Sequence, residues 1–156
     1  MNASQDLSRR QFVVLAAGCA AACACGGVAA AQDAAKPDAG KKVDIGPASD
    51  FPQDGIYDQY IKKGGVIVYR ETGQIYASTA ICPHRGATMT VKGETVYCPR
   101  HGSTFSPAGT VVKGPAEDSL VRYAIALDDK KHMIVDTSKS FREKQWDDPA
   151  SFVKIG

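Results

Sequence analysis

The chain has 156 residues, which is enough for one domain and an additional terminal segment. Its composition, with 44% hydrophobic and 23% charged residues, is that of a globular protein. The formal net charge of +2 argues against a nucleic-acid partner and against a polybasic surface for membranes.

The N-terminus has the pattern of an export signal. The paired arginines of "SRRQF" (residues 8–12) precede an uncharged run over 11–32 that is rich in small and apolar side chains. This pattern resembles the twin-arginine export signal, whose substrates cross the membrane folded and often carry a cofactor. We predict that residues 1–31 are removed before Gln32, placing the protein in the periplasm or on the outer face of the cytoplasmic membrane. The alternatives are a retained membrane anchor and lipidation at Cys19.

The rest of the chain has the pattern of a linker followed by a β domain. Residues 32–42 are polar and Ala-rich, which is typical of a linker. No long stretch over 43–137 keeps a helical period, so we predict an all-β, antiparallel domain there. The turn residues 71–73 predict a hairpin between the first two strands. Strand-like runs occur at 66–70, 74–79, 94–98, 120–127 and 132–136.

Residues 138–156 form a C-terminal tail that contains the one tryptophan of the chain. We predict that Phe141, Trp146 and Phe152 pack this tail onto the domain. The alternative is a strap that docks a partner protein.

Two similar loops carry the chemistry of the chain. Each of the stretches "ICPHRGA" (81–87) and "YCPRHGS" (97–103) holds one cysteine and one histidine, namely Cys82, His84, Cys98 and His101. A disulfide between the cysteines would leave the paired histidines unexplained. Zinc accepts the same ligands, but its sites usually group Cys with Cys and His with His along the chain. A binuclear iron centre explains the mixed pairs, because each loop can reach one metal with sulfur and the other with nitrogen.

The two boxes "CPHRG" and "CPRHGS" closely resemble those of the Rieske iron–sulfur family. The resemblance implies a Rieske-type β domain with a cluster-binding subdomain of two loops and one [2Fe–2S] cluster per chain. It also implies that the Ser103 hydroxyl donates a hydrogen bond to a bridging sulfide of the cluster and that a proline loop, here Gly114, Pro115 and Ala116, covers the cluster. The exposed histidine edges are then the expected point of electron exchange.

The boxes also depart from the respiratory members of the family. Ala87 and Arg100 stand where those members have a second pair of cysteines, so no disulfide braces the loops. Phe105 replaces a tyrosine whose hydroxyl bonds to a cluster cysteine. We therefore expect a reduction potential below that of the respiratory type and above that of the dioxygenase ferredoxins. Arg85 and Arg100 would favour the reduced cluster if they pointed inward, and otherwise form solvated surface.

These observations predict one-electron transfer by an exported protein, as a carrier or as the small subunit of a redox complex. In its general organisation the chain also resembles the arsenite oxidase small subunit. Expected partners are an oxidase large subunit, a cytochrome c or a quinol complex, and contact with a membrane requires the N-terminal segment to be retained. The alternatives are an anchored subunit of a quinol–cytochrome c oxidoreductase and a dioxygenase ferredoxin. No nucleophile–base set is apparent, and the remaining His132 is expected at the surface.

Overall fold

The computed structural model describes residues 40–155 and contains two antiparallel sheets. The predicted signal over 1–31 and most of the predicted linker lie outside the described residues. One helical turn, α1, covers Ile61–Gly64. The strands are β1 (Lys42–Pro47), β2 (Gly55–Tyr57), β3 (Val66–Glu71), β4 (Gln74–Thr79), β5 (Thr90–Lys92), β6 (Thr95–Tyr97), β7 (Thr104–Phe105), β8 (Val111–Lys113), β9 (Arg122–Leu127), β10 (His132–Phe141) and β11 (Val153–Lys154).

The larger sheet has seven strands in the order β1-β10-β9-β4-β3-β2, with β11 also paired to β4. The all-β, antiparallel prediction is therefore confirmed. The predicted hairpin is formed by β3 and β4, in which Glu71 pairs with Gln74 across a two-residue turn. Thr72 and Gly73 both have positive φ angles, 46° and 75°, as the favoured hairpin turn requires.

The smaller sheet contains four strands in the order β5-β6-β7-β8, and the two boxes lie in loops next to these strands. The first box lies between β4 and β5, and the second lies between β6 and β7. The buried apolar residues form two clusters. The core beneath the boxes includes both Cys82 and Cys98, together with Ile67, Ala80, Met89, Val96, Phe105, Ala116 and Leu120. The packing of this cluster, to which β3 of the larger sheet contributes Ile67, therefore positions the two cysteines.

Strand β10 continues beyond the domain boundary predicted at residue 137. Its register with β9 shifts between Asp136 and Ser140, and the strand then runs on to Phe141. Residues 138–141 thus belong to the larger sheet. Further along, β11 pairs with β4 through Val153 and Ile75. No helix among residues 40–155 is long and apolar enough to span a membrane.

A buried arginine joins the C-terminal segment to both sheets. The Arg122 side chain is buried, with its guanidinium 3.7 Å from the Tyr76 ring centroid and 4.1 Å from that of Trp146. The same guanidinium donates a hydrogen bond to the Ala108 carbonyl at 3.3 Å, and Ala108 lies between β7 and β8. Burial lowers the pKa of Arg122, so the two aromatic faces compensate for lost hydration of the cation.

We expect Trp146→Ala to destabilise the fold by about 2–4 kcal/mol, because it removes a large packed ring and one face of the cation–π pair. Urea unfolding would measure the loss. Trp146→Phe is the matched control, since it keeps a ring but removes an indole N–H that is buried without a hydrogen-bond partner among the described residues. This variant should stay within about 1 kcal/mol of the parent. Equal losses in both variants would contradict the proposed stacking role.

Candidate metal centre

The two boxes fold into loops with the same backbone hydrogen bonds. In the first, Cys82 N–H donates to Ala87 O at 2.8 Å, and Gly86 N–H donates to Cys82 O at 2.9 Å. In the second, Cys98 N–H donates to Ser103 O at 2.8 Å, and Gly102 N–H donates to Cys98 O at 3.0 Å. The loops therefore close at the same offsets from their cysteines. These bonds brace both loops, in which Cys82 and Cys98 are free cysteines.

A glycine occupies the same place in each loop for a conformational reason. Gly86 has a φ of 69° and Gly102 a φ of 80°, values that L side chains rarely adopt. A Cβ atom at either position would meet no other atom within 4 Å. Backbone conformation, and not crowding, therefore explains the glycine that follows each Cys–His pair.

The two cysteines are buried side by side and unoxidised. Cys82 and Cys98 are each 1% exposed, and neither forms a disulfide. Burial raises the pKa of the Cys82 thiol, and the neighbouring Cys98 raises it further, whereas the His84 backbone N–H and the Ser103 hydroxyl lower it. Two adjacent thiolates in an apolar core require a compensating cation, which is what a bound iron provides.

The two histidines meet at the solvent side of the loops. Their ring centroids are 4.9 Å apart and nearly perpendicular, at 83°. His84 is half-buried, and its Nδ1 atom is buried without a hydrogen-bond partner among the described residues, whereas His101 is exposed. Desolvation, followed by the charges of His84, Arg85 and Arg100, lowers the pKa of His101 and favours the neutral imidazole that metals bind.

The structure thus brings the four predicted ligands together as a buried sulfur pair and an outer nitrogen pair. Within the described range, no three His, Cys, Asp or Glu residues surround one point closely enough for a single ion. A [2Fe–2S] centre takes two protein ligands per iron, so two pairs fit it. The unpartnered Nδ1 of His84 fits the same group, because an iron ligand would satisfy that buried atom.

Ser103 links the second box to both the first box and the proline loop. Its side chain is fully buried, and its hydroxyl bonds to the Cys82 sulfur. The Ala116 backbone N–H donates to Ser103 Oγ at 3.0 Å. Gly114 and Pro115, joined by a cis peptide bond, are themselves exposed. The buried contact of the proline loop is thus made by Ala116.

Four other residues singled out from the sequence are not among the predicted ligands. Arg85 and Arg100 are both exposed, as solvated surface residues would be. Phe105 is fully buried in the core beneath the boxes. His132 lies in β10 with its Nδ1 3.1 Å from an Asp44 oxygen.

The folded loops and their paired ligands define an iron–sulfur protein with mixed Cys and His ligation. In agreement, the sequence model of the Rieske [2Fe-2S] domain family matches residues 41–124, which is more than half of the chain. The chain therefore belongs to the Rieske [2Fe-2S] domain family. It is an electron-transfer domain whose cofactor is a [2Fe–2S] cluster.

Several solved structures are similar to the chain, including the following two. The plasma membrane Rieske protein PetC3 from the cyanobacterium Synechocystis PCC 6803 shares 32% identity, over 60% of this chain and 97% of that one, with a TM-score of 0.48. A chain of the complex between reduced oxygenase and oxidized ferredoxin in carbazole 1,9a-dioxygenase shares 24% identity, over 65% and 97%, with a TM-score of 0.46. No curated protein shows a significant match to the sequence.

Proposed function

We propose that the protein is an exported one-electron carrier, or the small redox subunit of a larger complex. The observation that carries this proposal is the position of His101, which is exposed and lies 4.9 Å from the ring of the half-buried His84. A ligand at the surface gives a partner's cofactor a short path to the centre without any opening of the fold. Such a site suits electron exchange between proteins.

In this proposal Cys82 and Cys98 hold one iron, and His84 and His101 hold the other. When bound, the cluster supplies one-electron redox chemistry at a potential between about −150 and +300 mV. The chain keeps the sulfur pair dry, donates the Ser103 hydroxyl to Cys82, and leaves the outer imidazole edge at the surface. The imidazoles are bound in their neutral form, so the edge of the ring also offers a proton-exchange site.

The export part of the proposal rests on the paired arginines at positions 9 and 10 and the uncharged run after them. It places the mature protein in the periplasm or at the outer face of the cytoplasmic membrane. The partner there is an oxidase large subunit, a cytochrome c or a quinol complex. Export also disfavours the ferredoxin alternative, because dioxygenase systems work in the cytoplasm.

The double variant Arg9→Lys/Arg10→Lys is expected to abolish export, because the twin-arginine receptor reads the arginine pair. The full chain would be produced in a bacterium with this pathway and followed by cell fractionation, EPR of the reduced protein and N-terminal sequencing. The parent should appear in the periplasm as a cluster-bearing protein that begins at Gln32. The variant should stay cytoplasmic and unprocessed.

Lys62→Arg/Lys63→Arg is the matched control, since it alters an exposed basic pair in the folded domain. It should be exported normally. A parent that resists alkaline extraction from membranes and retains its N-terminus would instead establish the anchored alternative. Equal export of all three proteins would overturn the export assignment and leave the cluster assignment intact.

A further inference from the structure

Both boxes place an arginine next to an iron-ligating histidine. Arg85 follows His84 directly, and Arg100 precedes His101 directly. Both arginines are exposed, and the ion pairs found among residues 40–155, Arg70 with Asp54 and His132 with Asp44, involve neither of them. Two uncompensated guanidinium groups therefore flank the outer histidine pair.

The charged groups next to the histidine pair in sequence have one sign. Arg85 adjoins His84 and Arg100 adjoins His101, and the two histidine ring centroids lie 4.9 Å apart. The carboxylates of the proline-loop segment, Glu117 and Asp118, instead line a cleft beside Cys82 and the tail residues 142–145. The carboxylate-bearing residues of this segment thus line a cleft that they share with the tail.

We infer that Arg85, Arg100 and His101 form a basic docking face that fits a redox protein with acidic side chains around its cofactor. This inference rests on the proposed electron-transfer function and specifies the partner's charge. Recognition of an anionic membrane surface takes a cluster of several basic residues, and two arginines are too few for it. A partner protein with acidic side chains is therefore the better fit. Guanidinium groups also pair with carboxylates through two parallel hydrogen bonds, which would orient the partner over His101.

Small redox probes of opposite charge test this inference without knowledge of the partner. Reduced holoprotein would be mixed in a stopped-flow instrument with trianionic hexacyanoferrate(III) or with tricationic tris(phenanthroline)cobalt(III). In each reaction the cluster gives up one electron, and the metal ion of the probe is reduced from the +3 to the +2 state. We expect added salt to slow oxidation by the anion and to accelerate oxidation by the cation, because salt screens attraction and repulsion alike.

The variant Arg85→Glu/Arg100→Glu should lower the rate with hexacyanoferrate by about tenfold at low ionic strength and raise the rate with the cobalt complex. Lys130→Glu/Lys131→Glu changes the net charge equally but lies beyond the end of β9 remote from Arg122, about 17 Å along the strand. This control should change either rate by less than about twofold. Equal changes of these rates in the two variants would contradict the proposal that this face is a docking site.

A binding measurement provides a readout in which no electron moves. Oxidised holoprotein titrated with poly-L-glutamate should bind it, and the arginine variant should lose that binding while the lysine variant keeps it. Binding to anionic lipid vesicles in place of the polypeptide would contradict the inference and indicate a membrane surface. A protein without the reduced-cluster EPR signal would refute the proposed function itself, whereas a cluster-bearing protein indifferent to probe charge would refute this inference alone.

Discussion

Replacing His101 with alanine is expected to give a folded protein that has lost its [2Fe–2S] cluster. The side chain is exposed, and the backbone bonds between Cys98, Gly102 and Ser103 close its loop independently of the imidazole. The fold should therefore survive, whereas one iron loses half of its protein ligands. Iron and acid-labile sulfide content, visible absorption and EPR after reduction would each report loss of the cluster. Circular dichroism would confirm that the sheets remain.

His132→Ala is the matched control for this variant. His132 contacts Asp44 in the larger sheet, whereas the boxes adjoin the smaller sheet, so its loss should leave iron, sulfide and the EPR signal unchanged. A cluster retained in full by His101→Ala would contradict the ligand assignment. Zinc without sulfide in the parent protein would contradict the binuclear centre and favour the zinc alternative.

The second large effect is expected at Ser103, whose removal should lower the reduction potential by up to about 60–130 mV. A hydrogen bond to a charged group contributes about 1.5–3 kcal/mol, and about 1.4 kcal/mol corresponds to 59 mV for one electron. The Ser103 hydroxyl hydrogen-bonds to Cys82 and lowers the pKa of that thiol, so it favours negative charge on the sulfur. A bound cluster would carry more negative charge after reduction, and hydrogen bonds to its sulfurs would raise its potential. Ser103→Ala therefore destabilises the reduced form selectively. Redox titration followed by EPR would measure the shift.

The same substitution also leaves the Ala116 N–H without its acceptor, so a stability control is needed. Ser106→Ala provides one, because Ser106 Oγ accepts a backbone bond from Thr110 at 3.1 Å in the following loop. Both variants should lose about 1–3 kcal/mol of unfolding free energy, but the potential should shift in Ser103→Ala alone. An unchanged or raised potential in Ser103→Ala would show that its hydroxyl does not act on the sulfur.

The sequence alone was informative where the signal was local. The Cys–His pairs within each box predicted the ligand set and the binuclear arrangement, because those spacings are short and belong to single loops. The β3–β4 hairpin was likewise predictable, since Thr72 and Gly73 form its turn. The absence of a bracing disulfide was also evident from the sequence, because Ala87 stands where the respiratory members have a cysteine. The expected intermediate potential, based on Phe105, stays a prediction, as do the signal, the localisation and the identity of the partner.

Only the tertiary structure decided how distant segments support the centre. The bond from Ala116 to Ser103 joins residues that no motif links, and Trp146 reaches Arg122 from beyond the family match over residues 41–124. Strand β10 was predicted to end early because its bulge interrupts the alternation of side chains, and pairing with β9 restores the strand. The physical reason is general: ligand type and turn conformation are encoded in a few neighbouring residues. Burial, stacking and the direction of a charged side chain depend instead on contacts that exist only once the sheets have packed.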